Sequence, residues 1–208
     1  MKTSTILLIV FGAIFSSLLL LAVYIGLFKA PATYNGAVKL QEEVVASWGN
    51  VEATYQRRAD LIPNLVSTVK GYAEHEKEVL ISVTEARSKV GQMKLDASNL
   101  NEQNIKAYQQ AQSGLTQALS KLMVVVEKYP DLKANQNFLQ LQAQLEGTEN
   151  RINVARQRYN DTVKQYNTFI RGFWKKKYLS FTAEEGEFEK KAVFEAEEGA
   201  EKAPKVEF

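Results

Sequence analysis

From Val44 to Phe173, apolar and aromatic side chains return every third or fourth residue, and this rhythm leaves few folds open. Val44, Trp48, Val51 and Tyr55 step by four, three and four. Ile62, Leu65, Val69 and Tyr72 carry a second stripe through the polar Glu76 to Val79, Val83, Ala86 and Val90. A third runs over Ile105, Tyr108, Gln112, Leu115, Leu119, Leu122, Val126 and Tyr129. The fourth takes Phe138, Leu141, Leu145, Thr148, Ile152, Ala155, Tyr159, Thr162, Tyr166, Phe169 and Phe173. This spacing makes one narrow apolar face on a helix, and strands would need alternation instead. The expected fold is all-α, an elongated antiparallel bundle of about four long helices meeting at shallow angles. Only 4 prolines interrupt 208 residues, which suits long helices.

The boundaries come from capping and breaking residues. Asp60 has the side chain of a helix N-cap, and Pro63 fits the first turn that follows. Arg57 and Arg58 then fall in the last turn of the preceding helix, where cations suit the dipole. The chain is expected to reverse here, with the next helix starting near Asp60. Two readings of the arginine pair stand side by side: a well-capped hairpin, or a contact for an anionic lipid or partner. Gly91 to Asn101 reads as a connection, and Asn99 or Asn101 caps the third helix. Leu122-Met-Val-Val-Val126 is apolar on more than one face, which marks the most buried end. Pro130 ends that helix, and the last one runs from Asp131 to about Trp174. Gln140, Gln142, Gln144, Glu146, Arg151, Arg156, Arg158, Lys164 and Gln165 form its solvated faces. The polar seam residues Glu76 and Gln112 are positioned to meet across the bundle and set register.

Ahead of the stripes, Ile6 to Phe28 contains no charged residue. A helix needs about 20 apolar residues to cross a bilayer, so this run is long enough. Ala30-Pro-Ala32 resembles a signal-peptide cleavage site, but such peptides have apolar regions of about 7–15 residues. A single uncleaved anchor is expected. Lys2 and the α-amino group nearly balance Lys29 and Lys39 across it, and a signal-anchor pattern places the domain outside the cytoplasm. If the anchor continues into the first bundle helix, the rod from Ile6 to Arg58 is about 80 Å long. The organisation is a short tail (1–5), an anchor (6–28), a bundle (29–178) and an acidic tail with spaced aromatics (179–208).

Chemistry finds little purchase. There is no Cys and a single His, so neither thiol chemistry nor a multi-histidine metal site is available. The sequence His75-Glu-Lys-Glu78 lacks the second histidine of a zinc helix. No metal, cofactor or catalytic residue is expected, and a net charge of +2 gives no reason to expect nucleic acid. Candidate interaction residues are Arg57, Arg58, Asp60, Lys70, His75 and Glu76. His75 reads as a surface or partner-facing residue. Arg171, Phe173, Trp174, Lys175, Lys176, Lys177 and Tyr178 interleave basic and aromatic side chains, as a membrane-surface contact does. Equally, lysines there suit the negative end of a helix. Phe181, Phe188, Phe194 and Phe208 space the acidic tail, which could pack on its own bundle or on a neighbouring copy.

Arg57-Arg-Ala-Asp-Leu-Ile-Pro-Asn-Leu-Val66 followed by Lys70-Gly-Tyr-Ala-Glu-His-Glu76 resembles the signature of the bacterial LemA family. The likeness extends over Tyr34-Asn35, Trp48, Glu85-Ala-Arg87, Leu139 to Gln144, Ile152, Ala155, Arg156, Tyr159, Asn160, Tyr166-Asn167 and the tail from Phe194. One departure stands out: where members often carry Phe-Pro, Phe173 is followed by Trp174 and three lysines. The resemblance implies a membrane-anchored, largely helical protein with no agreed activity, often encoded near membrane proteases. The expected function is a non-catalytic envelope scaffold that self-assembles on the lipid bilayer as a homo-oligomer. The alternative is an adaptor for another membrane protein such as an envelope protease.

Overall fold

The computed structural model describes residues 3–195, and every regular element among them is helical. Helix α1 (Thr3–Tyr24) leads through a π-helical turn (Ile25–Lys29) into α2 (Ala30–Lys70). α3 (Lys77–Gln92), a 3₁₀ turn (Ala97–Asn99) and α4 (Glu102–Val126) follow. Then come the single turn α5 (Pro130–Lys133), the long α6 (Gln136–Arg171) and α7 (Phe173–Thr182). Within α1, Ile6–Tyr24 is long and apolar enough to cross a membrane, and no part of it is buried by the rest of the protein. The residues at 1–2 and 196–208, including Lys2 and Phe208, lie outside the described residues.

The main correction concerns the chain reversal. α2 does not end at Arg58: it passes through Pro63 and stops at Lys70. The reversal comes at 71–76, where the amides of Tyr72 and Ala73 both reach back to the Val69 carbonyl. A mid-helix proline costs roughly 3 kcal/mol. Continuing the stripe buries Ile62, Leu65 and Val69 almost completely, each contributing about 1.5–3 kcal/mol. Burial therefore outweighs the proline. Pro63 also leaves the carbonyl of Ala59, four residues back, without its intrahelical donor. Arg87 Nε on α3 donates to that oxygen at 2.9 Å.

Two further boundaries shift. The last long helix begins at Gln136, after the turn of α5, because Asn135 caps it by accepting from the Phe138 amide at 3.1 Å. It ends at Arg171, where Gly172 adopts an extended ψ of 132° before α7. Phe173 thus leaves the seam and is exposed, and Val163 and Ile170 complete the buried stripe instead. Asn101 is the cap of α4, accepting from the Asn104 amide at 2.9 Å. Of the apolar run at 122–126, Leu122, Val125 and Val126 are buried while Val124 faces solvent.

The chain divides into two compact units. One comprises 44–164 with the segment that begins at Lys191. Its core is built from Ile62, Leu65, Val69 and Ala73 of α2 and its turn, Leu80, Val83 and Val90 of α3, and Leu115, Leu122 and Val126 of α4. Leu132 and Phe138 close it. The other comprises 1–43 with 165–190. There the Phe169 ring lies so close to Gly36 that a Cβ at that position would sit 2.7 Å from Cζ. Lys175 Nζ stands 3.7 Å from the centroid of the same ring. Tyr34 donates its hydroxyl hydrogen to Glu187 and meets Phe188 edge to face.

Candidate functional site

The stretch singled out in the sequence does not form one site. Arg58 is buried at 3% exposure, mid-helix rather than at a helix end. Its Nη1 donates to Glu149 Oε2 at 3.0 Å and to Thr116 Oγ1 at 3.1 Å. Its Nη2 donates to Gln112 Oε1 at 2.6 Å, and the guanidinium lies 5.1 Å over the Tyr55 ring. Gln112 therefore pairs with Arg58, and not with Glu76 as the seam pattern suggested. Glu76 sits in the α2–α3 turn and accepts from the Tyr129 hydroxyl at 3.4 Å. Asp60 caps nothing: exposed on α2, it accepts from Gln56 Nε2 at 2.7 Å. Lys70 and His75 are exposed at the turn, Lys70 lying about 15 Å along the helix axis from Asp60 and His75 past the end of the helix.

Arg57, next to Arg58 in sequence, has the opposite environment. It lines an open groove of about 620 Å³ between α2 and α6, together with Arg151 and Arg158. Ala53, Val154 and Ala155 form an apolar strip along it, and Ser47, Asn50, Thr54 and Asn150 supply polar edges. No acidic side chain lines this groove. Among the described residues the three guanidiniums have no carboxylate within ion-pairing distance. Arg151 and Arg158 belonged to a face read as merely solvated. Their spacing of seven puts them on one side of a helix, but their meeting with Arg57 depends on tertiary packing alone.

A second cluster fixes the C-terminal segment on the same unit. Trp48 meets Tyr108 at 5.2 Å and Tyr159 at 5.6 Å between ring centroids, and stacks on Phe194 at 6.0 Å. The Asn160 side-chain amide brackets the Phe194 backbone, accepting from its N–H at 2.8 Å and donating to its carbonyl at 2.9 Å. Arg156 lies over the Phe194 ring and donates to the Glu195 carbonyl, which Gln109 also reaches. Tyr159 donates to the Ala192 carbonyl, and Lys191 to that of Ser98. Burial raises the Tyr108 and Tyr159 phenols far above their ordinary value. Within the described residues the tail thus packs on its own chain. An indole, two phenols, the Phe194 ring and a strap of backbone make a structural joint, and the Trp48 indole nitrogen is buried without a well-formed hydrogen bond.

The basic-aromatic stretch forms α7 and its approach. Arg171 closes α6, Phe173, Trp174, Lys175, Lys176 and Lys177 are exposed, and Tyr178 is half-buried. Among the described residues no group of three or more His, Asp or Glu is arranged to hold a metal ion.

The sequence profile of the LemA family matches residues 47–208. The chain is 25% identical over 164 residues to Protein LemA of Metamycoplasma hominis, covering 79% of this chain and 69% of that protein. It is 29% identical over 165 residues to Magnetosome protein MamQ 2 of Paramagnetospirillum magneticum, covering 71% of this chain and 60% of that one. Magnetosome protein MamQ of Magnetospirillum gryphiswaldense is 27% identical over 154 residues, and the chain spans 57% of its length.

Proposed function

The chain belongs to the LemA family, and from that premise we propose that it is a membrane-anchored helical scaffold that works by binding protein segments rather than by catalysis. The observation that carries this reading is the groove of Arg57, Arg151 and Arg158 between α2 and α6. Three guanidiniums around an apolar strip, with no internal carboxylate, suit an acidic segment that also brings apolar side chains. Arginine favours such contacts because its planar fork pairs bidentately with carboxylates.

The segment assigned to the groove is the acidic C-terminal sequence of a second copy. Beyond Glu195 it carries Glu197, Glu198, Glu201 and Glu207 against Lys202 and Lys205, with Val206 and Phe208 among them. Exchange of such segments between copies builds a homo-oligomer, which α1 holds at a bilayer. The test is the particle mass of the full-length protein in mild detergent, for the native chain and for Arg57→Glu/Arg151→Glu/Arg158→Glu. A uniform oligomer that the charge reversal dissociates supports self-assembly. A monomer at every concentration removes it and turns the same groove toward a different acidic partner, as in an adaptor.

A further inference from the structure

We propose that α7 is an interfacial helix whose aromatic face lies in the headgroup region of an anionic membrane, giving the protein a second, peripheral contact beside α1. At 100° per residue, Phe173, Lys177, Phe181, Trp174 and Tyr178 fall within an arc about 140° wide. Phe173, Trp174 and Phe181 on this arc are 76%, 64% and 78% exposed. Leu179 projects from the opposite side and is buried, so the helix presents its aromatic face outward. Lys175 and Lys176 flank that face on its two edges, and Lys177 lies within it, where a long stem can carry its charge to the headgroups. Large aromatics beside lysines on one helical face suit the boundary between headgroups and acyl chains.

The bilayer is chosen as the occupant because of where the helix is tied. α7 belongs to the same compact unit as α1. In that unit Ala30 is already buried, six residues past the end of the apolar span at Tyr24, which is about 9 Å along a helix. A headgroup layer is about 5–8 Å thick, so folded protein begins just past it. Both ends of the α7 excursion are fastened to the start of α2: Phe169 against Gly36 before it, and Phe188 against Tyr34 after it. The lysines complement anionic headgroups. Lys175 is partly engaged with the Phe169 ring and Lys176 lines a groove that also holds Glu184 and Glu185, but among the described residues neither Lys176 nor Lys177 forms an ion pair.

The experiment uses the full-length protein in vesicles of phosphatidylcholine, with or without phosphatidylserine. The two tryptophans, Trp48 and Trp174, report by fluorescence. With brominated lipid, the native chain is expected to lose the Trp174 component, and Trp174→Phe to show no lipid quenching. Lys176→Gln/Lys177→Gln is expected to weaken the docked state about twenty-fivefold in phosphatidylserine vesicles, about fivefold per lysine, and to change little in neutral ones. Phe173→Ser/Phe181→Ser, which leaves Leu179 in place, is expected to free Trp174 from lipid while circular dichroism stays unchanged. Quenching of Trp174 by aqueous iodide and not by lipid would overturn the proposal. Protection from both quenchers would also overturn it, by showing that protein covers the face.

Discussion

At the scale of single residues, one arginine does work that a glance at composition would assign to the surface. Arg87 supplies the hydrogen bond that Pro63 removes from α2. Arg87→Met should destabilise the protein by about 1–3 kcal/mol, the usual cost of orphaning a buried carbonyl. In a Pro63→Ala background the same change should cost less than about 1 kcal/mol, because the helix then satisfies Ala59 itself. Denaturant unfolding of the four chains of this cycle checks the coupling. Tyrosines add a pH dependence. Burial, then the charges of Glu189 and Glu187, raise the Tyr166 phenol from its ordinary 10.0 to about 12. A phenol raised in the folded state adds stability that is whole below pH 10 and is lost as pH climbs through the folded value. Stability should therefore stay level up to about pH 10 and fall between pH 10 and 12, with the absorbance of tyrosinate rising together with the loss of helical ellipticity.

At the scale of elements, the strap at Lys191–Glu195 is the joint to probe. Phe194→Ala should cost about 3–5 kcal/mol, since it empties a space walled by Trp48 and Tyr159. Trypsin should then cut at Lys190 or Lys191 more than an order of magnitude faster, while the helical signal persists. These elements also show what a sequence can and cannot reveal. The four stripes carried the helices and most of the core, because a period near 3.5 is a local property that burial enforces. The end of α2 is masked in the sequence because Pro63 and Asp60 offer a strong local stop signal. Overriding it takes the burial of three residues beyond it and a donor from α3, neither of which is local. The true stop, Lys70-Gly71, is a weaker signal of the same kind. Arg58 and Gln112 were each legible as unusual, yet their pairing was not, since register between helices is set by the whole core.

At the scale of the whole molecule, the chain carries both an apolar helix fit to cross a bilayer and a cationic groove between α2 and α6. The groove was the least legible part of the sequence. Arg57 reads as half of a pair, and Arg151 and Arg158 as part of a solvated face. Only the folded chain brings them to one place, away from acids. If acidic segments bind there, association should weaken as salt rises, because exposed charges are screened over about 8 Å at 0.15 M and about 3 Å at 1 M. The most direct test is multi-angle light scattering of the full-length protein in mild detergent, native and Arg57→Glu/Arg151→Glu/Arg158→Glu side by side. Segment exchange through the groove requires one uniform oligomer for the native chain and a monomer, with unchanged circular dichroism, for the charge-reversed one. A native monomer at all concentrations, or an oligomer untouched by the three substitutions, would contradict it.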